Sequence, residues 1–125
     1  MQSDPDKTGG DAPLMLGVSG LRGIVGDSLT PELAVRFAQA FATWLIADGH
    51  AEPGRSGADA NGIGNTVVIG RDSRPSGEML EAAVCAGLLS MGLVPRRAGI
   101  VSTPAVALAV KRASAAGGIV ITASH

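Results

Sequence analysis

Aromatic side chains are nearly absent: the 125 residues include no tyrosine, one tryptophan and two phenylalanines. Without aromatic platforms, stacking recognition of single-stranded nucleic acid is disfavoured, and the core has to be built from Ala, Val, Leu and Ile. Neither acidic nor basic residues are in excess. The formal net charge is −1, which argues against a nucleic-acid or polyanion surface. Cysteine occurs once, at Cys85, so no internal disulfide is possible and a reducing compartment is favoured. Cys85 lies in an apolar helical segment and reads as a buried, inert thiol, with a reactive thiol as the alternative. No apolar run approaches the length of a membrane span. The polar stretch 1–13 lacks the basic start and apolar centre of a signal peptide. The expectation is a cytoplasmic protein, with no membrane partner and a disordered tail over 1–13.

Several chemistries are absent as motifs. His50 and His125 are the only histidines, and no set of His, Cys and carboxylates has metal-ligand spacing. That disfavours a redox or metal-binding protein. There is no P-loop and no Gly-x-Ser-x-Gly elbow. Gly62-Ile63-Gly64 precedes a strand instead of following one, contrary to a dinucleotide fingerprint.

What is present is alternation. Residues 14–18 read as a strand leading into a loop from Ser19. Thr30 and Pro31 open a helix, with Leu33, Phe37, Ala40, Phe41, Trp44 and Leu45 at helical spacing and Gly49 as its stop. A Gly-rich surface loop follows over 51–65. Thr66 to Gly70 reads as a buried strand. Ser76 caps a second helix whose stripe is Leu80, Ala83, Val84, Gly87, Leu88 and Met91, ended by Gly92. The next strand carries Pro95, which suits a sheet edge. Thr103-Pro104 opens a short helix ending near Lys111 and Arg112, and Gly118 to Thr122 forms a last buried strand. This order predicts an α/β fold, a three-layer α/β/α domain with a mostly parallel or mixed sheet of about four strands. Ligands of such sheets bind beyond the carboxyl ends of the strands. Three polar segments lie there: 19–26, 71–76 and 122–125.

Each candidate has two readings. Ser124, just past a strand, either caps a following helix or carries a nucleophilic hydroxyl, with His125 beside it. Arg22, set among glycines, is either a solvated turn residue or a phosphate grip. Arg71-Asp72-Ser73-Arg74 is either an anion site or an internal salt-bridged turn, and the structural role is preferred. His50 reads as a solvated residue after a helix end.

Three segments carry a resemblance. Gly17-Val18-Ser19-Gly20-Leu21-Arg22-Gly23, Gly70-Arg71-Asp72-Ser73-Arg74-Pro75-Ser76-Gly77 and Thr122-Ala123-Ser124-His125, in that order, resemble the opening, second and active-site motifs of the α-D-phosphohexomutase family. The similarity runs from about Leu14 to the last residue. It implies that 14–125 is domain I of a four-domain enzyme, with domains II–IV absent and the fragment alone inactive. It implies that Ser124 is the phosphoserine, that Arg22 lies near the transferred phosphate, and that His125 stands close to the transfer. The reaction would interconvert hexose 1-phosphate and 6-phosphate through a bisphosphate. One Mg²⁺ would be held by an oxygen of the Ser124 phosphate and by aspartates of a second domain. The wording is closest to phosphoglucosamine mutase-like members, followed by phosphomannomutase and phosphoglucomutase. From another class, a non-catalytic phosphate-binding or interaction module remains the alternative.

Overall fold

The computed structural model describes residues 18–24, 29–54 and 64–124. The expected tail 1–13, the centre of the 51–65 loop and His125 lie outside the described residues. The elements alternate as β1 (Val18–Ile24), α1 (Pro31–Ala47), β2 (Thr66–Arg71), α2 (Ser76–Ser90), β3 (Val94–Ile100), α3 (Thr103–Ala113) and β4 (Gly117–Ser124). The four strands form one sheet in the order β1-β4-β2-β3, and every neighbouring pair is parallel.

Successive side chains of a strand point to opposite faces, and this alternation divides the core in two. Val67 and Ile69 of β2, with Ile119 and Ile121 of β4, join Ala34, Ala38, Phe41, Ala42 and Leu45 of α1 and Leu80, Val84 and Leu88 of α2. The intervening Val68 and Val120 turn to the other face and pack with Val106 of α3. Two helices therefore cover one face and one covers the other, as the three-layer expectation requires. The central strands β2 and β4 are apolar on both faces, as buried parallel strands should be.

Local signals explain most boundaries. Thr30 caps α1, its Oγ1 accepting from Leu33 N at 3.1 Å, and Gly49 follows the helix at φ +80°. Pro95 lies on β3, an edge strand. Ile69 pairs with Arg97 and Gly70 with Gly99, so Ala98 is the extra residue of a β-bulge.

Four expectations need correction. Residues 14–17 of the expected first strand lie outside the described residues, and what was expected as a loop from Ser19 is strand instead: the backbone is extended over Val18–Ile24, because each residue has a parallel partner on β4. That ladder outweighs the poor strand propensity of Gly20 and Gly23. Likewise β4 continues to Ser124, so Thr122 to Ser124 belongs to the strand. The buried face of α1 is Ala34, Ala38, Phe41, Ala42 and Leu45, whereas Leu33 and Ala40 are exposed. The alanines are there because α1 and α2 cross closely: a Cβ on Gly87 would lie 2.7 Å from Val35 O and 2.8 Å from the Ala38 Cβ. Finally, two caps shift by one residue. Pro75 precedes α2 at the cap position, and Ser76 is the first helical residue. Ser102, not Thr103, caps α3 by accepting from Ala105 N at 3.3 Å.

Candidate functional site at the carboxyl edge of the sheet

Because all strands run the same way, their carboxyl ends meet along one edge. There the register sets Leu21 beside Ile121 and Ile121 beside Arg71, and one residue further Arg22 beside Thr122. The backbone of Ser124 pairs with Ile24 two residues beyond. Strand spacing and rise then put the Cα atoms of Arg22 and Ser124 about 8 Å apart, close enough for both positions to serve one site. The structure thus brings two of the three predicted site residues to the same edge.

The third wall is the turn after β2. Asp72 N donates to Ile121 O at 3.1 Å, which carries the β2–β4 hydrogen bonding one residue past the strand. Within the turn, Arg74 N donates to Asp72 Oδ1 at 3.2 Å and Arg74 Nε stands 3.9 Å from Asp72 Oδ2. On its other side the Arg71 carbonyl accepts from Val101 N at 3.2 Å. The internally paired turn is what the structural reading of 71–74 anticipated.

Arg71 has a partner that the sequence reading passed over. Its Nε lies 3.7 Å from Oε1 of Glu81, a buried carboxylate on α2. Arg97 of β3 approaches the same oxygen at 3.9 Å and donates from Nε to Cys85 Sγ at 3.4 Å. The Cys85 hydrogen bond first, then charge on Cys85 and Glu81, raise the Arg97 pKa above its ordinary value. The available signal was a carboxylate between Leu80 and Val84, inside the buried stripe. Cys85 itself is buried, as expected.

Other candidates fall away from this edge. His50 pairs through Nε2 with Asp48 Oδ2 at 2.8 Å after α1, at the sheet's amino end. An open groove of about 570 Å³ lies between β3 and α3, lined by Arg96, Ala98, Leu108 and Arg112 among others. Among the described residues no three of His, Cys, Asp and Glu gather to hold a cation. By themselves the described residues do not complete the expected Mg²⁺ site. Among the same residues no helix is long and apolar enough to cross a membrane.

Comparison with known proteins gives this edge a context. The profile of "Phosphoglucomutase/phosphomannomutase, alpha/beta/alpha domain I" matches residues 13–125. A phosphoglucosamine mutase of Natranaerobius thermophilus is 43% identical over 113 residues, which is 90% of this chain and 22% of the relative. A phosphoglucosamine mutase of Rhodococcus opacus is 46% identical over 111 residues, 89% of this chain and 22% of the relative. A phosphoglucomutase/phosphomannomutase of Thermococcus kodakarensis is 42% identical over 111 residues, with the same coverage. The chain therefore spans 22% of the length of these curated relatives.

Proposed function

Since this chain belongs to the phosphoglucomutase/phosphomannomutase family through its α/β/α domain I, we propose that it is the phosphoryl-carrying domain of a phosphohexomutase. Ser124 Oγ carries the phosphoryl group. The Oγ–P bond breaks as a P–O bond forms to a hydroxyl of a hexose monophosphate, whose proton leaves to a base. The resulting bisphosphate turns round and its other phosphoryl group returns to Ser124. Transfer of this kind depends on positioning and on charge placed against the phosphoryl oxygens more than on covalent help. Arg22 is assigned to the second task and His125 to the surroundings of the transfer. One observation carries the reading: parallel pairing seats Arg22 and Ser124 at the same strand ends, where α/β sheets receive ligands.

The glucosamine phosphates are the preferred substrates in this reading, supported by relatives named phosphoglucosamine mutase. The T. kodakarensis relative's name keeps glucose and mannose phosphates as the nearest competitors. Mg²⁺ dependence and a cytoplasmic location belong to the same proposal and rest on the family resemblance. The 125 residues alone are assigned no turnover, since the relatives supply much more chain.

The test is Ser124→Ala in the full-length enzyme, assayed on glucosamine, mannose and glucose phosphates. Loss of kcat by a factor of roughly a thousand or more is expected when a covalent carrier is removed. Activity near that of the unaltered enzyme would refute the assignment. Intact-mass analysis of the full-length enzyme should show one added phosphate, and peptide mapping should locate it on Ser124. Turnover by the 125-residue chain would refute its proposed inactivity.

A further inference from the structure

Glu81 is 4% exposed, yet it is ionisable and carries an oxygen, Oε2, with no hydrogen-bond partner. Its Oε1 lies between Arg71 at 3.7 Å and Arg97 at 3.9 Å, both beyond hydrogen-bond length. Arg71 is the last residue of β2. Its side chain runs beneath the first turn of α2, where its Cδ would stand 3.3 Å from a Cβ on Gly77. A guanidinium there faces the positive end of the helix, so a carboxylate is needed to hold it. From that position Arg71 Nη1 donates back to Asp72 O at 3.3 Å, and Asp72 N reaches Ile121 O on β4.

We infer that Glu81 is a positioning residue for the carboxyl-edge site: by holding Arg71 under α2, it fixes the 71–74 turn against β4 beside Thr122. The consequence for phosphoryl transfer rests on the function proposed above. A buried ion pair is not explained by stability alone. Well-packed apolar residues of similar volume hold a fold as well or better, whereas removing one partner is costly. What the pair adds is a defined direction for Arg71, and the chain of contacts from Arg71 ends at the site.

Amide hydrogen exchange on the 125-residue chain separates positioning from stability. In Glu81→Gln, the Asp72 amide should exchange roughly tenfold or more faster relative to the Ile69 amide in the core, and the Arg71 Nε–Hε resonance should move. The double variant Arg71→Met with Glu81→Met should recover the denaturation midpoint while the Asp72 amide stays fast. It also carries the test alone if the single variant does not fold. The inference is overturned if Asp72 exchange follows the core in both variants, or if the double variant restores it.

In the full-length mutase, Glu81→Gln should lower kcat roughly tenfold with KM unchanged, the mark of an interaction used in the transition state. An unchanged kcat would remove the catalytic consequence. An active Ser124→Ala enzyme would instead sink the functional reading and leave the exchange result standing.

Discussion

At the scale of single residues, close approach decides more than side-chain chemistry. Gly87 illustrates it. Replacing a helical glycine by alanine gains about 1 kcal/mol in propensity, but here the new methyl would meet a backbone carbonyl oxygen at 2.7 Å. Overpacking of a tight core costs about 1–3 kcal/mol, and a carbonyl in a helix cannot turn aside. Gly87→Ala is therefore expected to lower the urea midpoint despite its better propensity. Arg97 gives a pH expectation. A cation whose folded pKa is raised contributes stability that is complete below its unfolded pKa and lost only as pH climbs through the folded one. For a guanidinium both values lie far above neutrality, so the stability difference between Arg97→Gln and the unaltered chain should not vary across neutral pH. The sequence made Cys85 readable as a buried thiol because its neighbours are apolar. Glu81 left a signal as a carboxylate inside an apolar stripe, but its partners were not readable, because Arg71 and Arg97 come from the two strands that flank α2.

At the scale of elements, the caps are the sharpest test. Removing a hydroxyl cap costs about 1 kcal/mol. Thr30→Ala and Ser102→Ala should each lose about that much in chemical denaturation, whereas Thr103→Ala, one residue inside α3, should lose much less. The helices were legible because capping and apolar spacing are local signals, and Thr30-Pro31 was read correctly. The register of the buried face was less legible: Ala34 and Ala38 turn inward because a second helix needs the space, a fact about the pair and not about α1. The ends of β1 and β4 escaped for the same reason. Val18–Ile24 is extended only because Gly118–Ser124 lies alongside.

For the whole molecule, the alternation of strands and helices carried the three-layer architecture, and Pro95 marked an edge. The order β1-β4-β2-β3 depends on pairings between distant segments and had no local signal. The edge has a cost of its own. Val94 and Ile100 are exposed on β3, and such an edge invites pairing with another chain. The bulge at Ala98, Pro95 and the charge of Arg96 oppose it. Arg96→Val should raise self-association, visible as increased light scattering at matched concentration, and no increase would show that the bulge suffices. The candidate site was legible as three motifs, and what the fold adds is that the first and last of them share a register.

The chain leaves α1 and enters β2 at the opposite end of the sheet, where Glu52 N meets Gly64 O at 2.8 Å and Ala51 bridges Gly64. That clasp ties the base of the Gly-rich stretch a strand's length, about 20 Å, from the carboxyl edge. Added residues or a fluorescent tag between the clasped ends would be anchored at the pole away from the candidate site, and the carboxyl-edge pairing should survive the insertion.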